Sequence, residues 1–262
     1  MLHDHLASHG IVMVQITIPD HDDYFNWDKN MIDWPRDFVF ALDQIAANPP
    51  EGLEGVMDTD NVGATGYSYG GDIALALSGV RIDPEYYLNH CKNPPVVDTA
   101  YGGTEFYTEW TCSLAKKWDE FAAFAGEQIT TSEDGLWQPV TDERIRAVMP
   151  MAAAGTWLYG ERGLAAADRP ALLIAATEDE FVPYALETAF IFEHLGAPEK
   201  ALISFIGKDH MRALDPAQAI RIKHFMVAFF GSHLQGREEY LQYLSEDFVK
   251  QSEDLAWGIY QK

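Results

Sequence analysis

Short apolar, β-branched runs recur along the chain, and each is followed by a stretch with helical spacing. Ile11–Ile18, Val62–Gly66, Ile145–Ala152, Ala171–Ala176 and Ala201–Ile206 are almost continuously apolar or small, the pattern of strands covered on both faces. Between them Pro35–Ala47 carries Phe38, Leu42 and Ile45 at helical spacing, and Gly71–Leu77, Tyr184–Leu195 and Pro216–Phe230 read as further helices. Asp215 followed by Pro216 reads as an N-cap with proline in the first turn. A last segment around Tyr240, Leu241, Leu244 and Phe248 is amphipathic, and is expected to pack outside the sheet. The alternation predicts an α/β fold with a mostly parallel sheet flanked by helices.

Residues 81–142 break this rhythm, being rich in Tyr, Trp, Pro and acidic side chains without a long strand pattern. The chain accordingly divides into an N-terminal part of the core (1–80), an insertion (81–142) and a C-terminal part of the core (143–262). An insertion at that point is expected to sit as a lid over the carboxyl edge of the sheet, where such folds bind ligands. An additional surface subdomain is the alternative.

Composition adds one strong statement. Of 262 residues, 18 are basic and 41 acidic, for a net charge of −23. That field repels a polyanion, so nucleic-acid partners are not expected. No apolar stretch approaches the length of a membrane span, and no basic-then-apolar leader opens the chain, so a soluble protein of open compartment is expected. Cys91 and Cys112 both lie in the insertion. They either pair as one disulfide or are two separate thiols, and spacing alone leaves both possibilities standing.

The chemistry centres on Gly66-Tyr67-Ser68-Tyr69-Gly70-Gly71, a G-x-S-x-G pattern with an apolar strand running into it and a helix running out. That is the context of a nucleophile elbow, in which a serine sits on a sharp strand-to-helix turn. Gly66 and Gly70 are expected to remove side chains that would collide there, and the Tyr69 amide to donate to a developing oxyanion. A serine hydroxyl needs a base, and the base needs an orienting carboxylate. The polar loop after Ala171–Ala176 contains Glu178-Asp179-Glu180, and the loop after Ala201–Ile206 contains Asp209-His210. Of nine histidines only His210 falls in a loop after a late strand. Ser68, Asp179 and His210 are therefore the candidate nucleophile, acid and base, in the chain order Ser…Asp…His. Glu178, Glu180 and Asp209 are the competing carboxylates.

Tyr67, Trp110 and Trp157 are the candidate substrate-contacting side chains; Trp110 and Trp157, like Tyr107, Trp118 and Trp137, either line the pocket or are packing within the core. Asp20-His21-Asp22-Asp23 is the single stretch suggestive of a metal, but nothing completes a ligand set, so no metal is expected. No phosphate-binding glycine motif is present, and the mechanism requires no cofactor.

With these residues in place the sequence resembles the α/β-hydrolase superfamily. More narrowly it is similar to the bacterial branch described as dienelactone hydrolase-like and related to platelet-activating-factor acetylhydrolases. Residues 5–21, 62–77, 169–184 and 205–211 carry the likeness. It implies a serine esterase acting on small or short-acyl esters through an acyl-enzyme. True dienelactone hydrolases have cysteine at the elbow, so Ser68 argues against that particular reaction. Such families also place a strand and an H-G oxyanion loop before the first helix, whereas here His5–His9 reads as the end of that helix. The expectation is that those strands and a second oxyanion donor are lacking, leaving a sheet edge open to a homo-oligomeric partner. A peptidase or amidase on the same triad, and a binding protein with little turnover, are the competing readings.

Overall fold

A computed structural model of the chain describes residues 2–17, 27–97 and 100–261. The elements in order are α1 (Leu2–Ser8), α2 (Trp27–Ala47), β1 (Val62–Tyr67), α3 (Tyr69–Ala76), α4 (Pro84–Lys92), α5 (Gly103–Thr111), α6 (Trp118–Ala125), α7 (Glu127–Thr130), β2 (Ile145–Met151), α8 (Thr156–Leu164), β3 (Ala171–Ala176), α9 (Phe190–His194), β4 (Lys200–Phe205), α10 (Pro216–Gln235), α11 (Glu246–Val249) and β5 (Leu255–Trp257). The sheet runs β1-β2-β3-β4-β5. Its first four strands are parallel, and β5 pairs antiparallel with β4.

β3 is apolar throughout because each of its faces has its own layer of helices. Ala171, Leu173 and Ala175 of β3 join a core with Met31 and Ile32 of α2, Leu75 of α3 and Leu158 of α8. Leu172 and Ile174 point the other way, toward Leu6 of α1 and Phe225, Met226 and Phe229 of α10. Burial on both faces is why continuous runs, rather than alternating ones, marked these strands. This is the mostly parallel, helix-flanked sheet of the α/β-hydrolase fold. Asp215 caps α10 as expected, its side chain accepting from the Ala217 amide at 2.8 Å.

The segments read as strand or helix hold except in four places. Ile11–Thr17 is not a strand, and Ile18 lies outside the described residues. Ile11 and Met13 pack on the α10 side of the core while Val12 and Val14 stay about half exposed, at 48% and 47%. A cavity of about 310 Å³ is lined by residues of this segment and of β1, among them Met13 and Val62, together with Phe38, Leu42 and Phe230. An extended apolar run becomes a strand only where it pairs with a neighbour, and the described part of this run joins no strand of the sheet. The helix placed at Pro35 starts earlier, at Trp27, and carries Pro35 in its interior. The region read as one helix over Tyr184–Leu195 is a π-helical turn, Ala185–Ala189, followed by α9. β5 is the fourth difference, a three-residue strand that no periodicity announced.

The insertion is helical, and it shares the main core instead of forming its own. Tyr87 of α4, Leu114, Phe121 of α6 and Trp137 belong to the same buried cluster as α2, α3 and α8. Cys91 and Cys112 are joined as a disulfide between α4 and the end of α5. No helix among the described residues is long and apolar enough to cross a membrane.

Candidate active site

The parallel sheet brings the carboxyl ends of β1 and β3 and the loop after β4 to one side of the molecule, and Ser68, Asp179 and His210 stand on those ends. Ser68 links β1 to α3 at φ 56° and ψ −124°, a backbone conformation costly for a residue with a side chain. Close approach on both sides of the turn holds it there. A Cβ on Gly66 would come within 2.1 Å of the Gly70 carbonyl oxygen, and one on Gly71 within 2.4 Å of the Met151 carbonyl oxygen. A Cβ on Gly70 itself would meet nothing within 4 Å. The steric demand expected of Gly70 therefore belongs to Gly66 and Gly71, which let the elbow press against its own helix start and against β2. The Ser68 amide donates to the Met151 carbonyl at 2.9 Å, tying the elbow to the neighbouring strand.

From Ser68 a continuous hydrogen-bond chain runs inward. The hydroxyl lies 2.9 Å from His210 Nε2. His210 Nδ1 lies 3.0 and 2.9 Å from Asp179 Oδ1 and Oδ2. Asp179 Oδ1 also accepts from the Phe181 and Val182 amides at 3.0 and 2.8 Å, which fixes the carboxylate plane. The imidazole and the carboxylate are both buried.

The three competing carboxylates have other partners or places. Asp209 caps the turn that follows it, accepting from the Met211 amide at 3.0 Å. Glu180 accepts from the His210 amide through Oε2 at 3.1 Å, and its carbonyl accepts from the Tyr101 amide at 2.6 Å. It thereby fastens the insertion to both loops of the site. Glu178 sits one residue before Asp179, and its amide donates to the Lys208 carbonyl at 3.0 Å.

Tyr69 begins α3, whose first amides point toward the elbow, with Gly71 and Asp72 both donating back to the Ser68 carbonyl. Its ring packs edge-on against Trp34 of α2, with centroids 4.2 Å apart. Burial pushes its hydroxyl well above the ordinary tyrosine range, with the Asp72 charge adding to the effect.

Arg212, two residues beyond His210, is a functional neighbour that sequence reasoning missed. Its side chain is fully buried, and it donates to the Tyr67 hydroxyl at 3.0 Å and to the Ile174 carbonyl at 3.1 Å. The guanidinium also lies 3.8 Å from Asp179 Oδ2. Burial lowers its basicity, against the pull of Tyr67 and Asp179. The Tyr67 hydroxyl in turn donates to the His210 carbonyl. In this network Tyr67 braces the histidine loop from below. Spacing alone carried no sign of it, because a lone arginine in a loop usually reaches solvent.

Trp110 and Trp157, the two tryptophans placed near substrate, contact each other. Trp157 is 1% exposed, and its ring neighbours are Trp110 at 6.3 Å and Tyr87 at 5.8 Å. Trp118, Trp137 and Phe121 stack within 5.1 to 5.6 Å of one another. Tyr107 is buried, its hydroxyl donating to Glu187 at 2.5 Å. These rings cluster as packing, while Tyr67, Ser68, Asp179 and His210 meet at the elbow. The acidic stretch at residues 20–23 lies outside the described residues.

The model of the prolyl oligopeptidase family (Peptidase_S9) matches residues 35–237, a span that holds Ser68, Asp179 and His210. The chain belongs to the prolyl oligopeptidase family. This membership places it among the serine hydrolases of the α/β-hydrolase superfamily, in agreement with the sheet and the elbow. No curated protein matches the chain.

Proposed function

We propose that this member of the prolyl oligopeptidase family hydrolyses small or short-acyl carboxylic esters through an acyl-enzyme on Ser68. The observation that carries the reading is the unbroken Ser68–His210–Asp179 hydrogen-bond chain, with the nucleophile held at a positive φ. Ser68 Oγ attacks the carbonyl carbon while His210 Nε2 takes its proton. The oxyanion forms beside the amide-rich start of α3, where the Tyr69 N–H donates to it. His210 then passes the proton to the leaving oxygen, and a water repeats the sequence to free the acid. Asp179 keeps Nδ1 as the protonated nitrogen and supports the transient imidazolium. Residues 81–142 act as the lid of this site, held to it through Glu180.

The likeness to the dienelactone hydrolase-like branch supports an ester as substrate. The prolyl oligopeptidase match supports a second reading, cleavage of a peptide bond by the same groups. Turnover of p-nitrophenyl acetate and butyrate is compared with that of a peptidyl p-nitroanilide, in wild type and Ser68→Ala. Ester turnover that falls by at least ~10³-fold in the variant, with the anilide untouched by either protein, supports the esterase. Anilide cleavage lost in the variant moves the assignment to peptidase. A wild type no faster than Ser68→Ala on both substrates sinks the enzyme reading.

A further inference from the structure

Beside His210 the molecule leaves three aromatic rings in solvent. Phe181, two residues beyond Asp179, packs on the His210 imidazole with centroids 5.2 Å apart. On its other side it stacks with Tyr101 of the insertion at 4.9 Å and an interplanar angle of 25°. Tyr101 meets Phe106 of α5 edge-on at 5.6 Å. The three are 38%, 57% and 41% exposed for Phe181, Tyr101 and Phe106 respectively. Single exposed apolar side chains are ordinary, but a contiguous set of rings is costly to leave wet and marks a binding surface. Fastening the insertion does not require them, because the Tyr101 amide already donates to the Glu180 carbonyl.

We propose that Phe181, Tyr101 and Phe106 form a platform that takes an apolar or aromatic leaving group of the ester. This rests on the reading of Ser68, His210 and Asp179 as a working triad. The side of the scissile bond follows from proton transfer: His210 Nε2 must reach the leaving oxygen, so the departing alcohol lies over the imidazole, and the ring that extends the imidazole is Phe181. The acyl group, bonded to the same carbon, is directed elsewhere. The preferred substrate therefore pairs a short acyl group with a bulky apolar alcohol.

The test is the ratio of kcat/KM for benzyl acetate to that for ethyl acetate, two esters with the same acyl group and alcohols of similar basicity. It is measured in wild type, Phe181→Ala, Phe181→Leu and Tyr101→Ala, alongside a p-nitrophenyl acetate-to-octanoate series. The ratio is expected to fall about tenfold in the two alanine variants, with the leucine variant intermediate. A displaced His210 would slow both acetates alike and leave the ratio unchanged, so an unchanged ratio overturns the platform. An effect confined to the acyl series overturns the assigned side. If wild type neither turns over an ester nor labels with a fluorophosphonate at Ser68, the triad reading itself fails. Labelling and turnover with a constant ratio remove the platform alone.

Discussion

Two carboxylates after β3 are buried by different means. Asp179 accepts from an imidazole and two amides, with the Arg212 guanidinium 3.8 Å away. Glu187, in the π-helical turn before α9, is wholly buried. It accepts from the Tyr107 hydroxyl, the Gly155 and Thr156 amides and the Thr156 hydroxyl, all uncharged. Burial raises its proton affinity above the ordinary carboxylate range. A carboxylate beside an imidazole can hold the ring in one tautomer and orientation, while one ringed by neutral donors is a fastening point. Glu187 joins α5 to the start of α8, a structural link, and Asp179 holds the His210 ring in line with Ser68.

The largest effect that tests this contrast is Arg212→Met. It leaves Tyr67 without its donor partner and Asp179 buried without its cation. Stability is expected to fall by about 3 kcal/mol, and kcat/KM by about 10²-fold through misplacement of the histidine loop. The acidic limb of the kcat/KM profile should also move to higher pH. Arg212→Lys, which keeps charge but not the fork, should restore that limb more fully than the stability. A pH profile that does not move would make Arg212 mere packing.

Glu187→Gln comes next, with an expected cost of about 1–2 kcal/mol. A carboxyl whose folded proton affinity is raised stabilises most when protonated, and that contribution is lost as pH rises from the unfolded carboxylate range through the folded one. The Tm gap between wild type and variant should therefore narrow from pH 5 to pH 8. A gap that widens instead would show an ionised carboxylate supported by its donors.

The smallest effect is at the surface. Asp134 is gripped by the Arg81 fork at 2.6 and 2.9 Å, which pulls its carboxyl down to about 2. The sign is opposite to that of Glu187: the contribution is present above the ordinary carboxylate range and is lost as pH falls toward the depressed value. Asp134→Asn should lower Tm slightly at pH 7, less in high salt, and less still as pH falls toward 2. An equal loss at both pH values would assign the effect to packing.

Most of the sheet, and the loops that carry Ser68 and Asp179, could be read from the chain for one reason. In a parallel α/β sheet each strand is buried on both faces and each active loop follows a strand's carboxyl end, so a continuous apolar run locates both at once. Val62–Tyr67 leading into Ser68, and Ala171–Ala176 leading into Asp179, are the clearest cases. Ile11–Thr17 and Leu255–Trp257 show where this stops. The first has the stronger strand composition and is no strand, while the second is three residues long and pairs with β4. Pairing needs an edge in reach, and which edge is in reach is a property of the assembled layers.

The same division runs through the candidate site. Residue types, their order and the glycines of the elbow are local matters, and the sequence by itself determined them. Tertiary structure alone decided that Tyr67 would brace His210, that Trp157 would be buried, and that Arg212 would turn inward behind Asp179. It also left Phe181, Tyr101 and Phe106 in solvent. Local spacing sets which face a side chain presents, but its partner is set by elements distant in sequence that the core draws together.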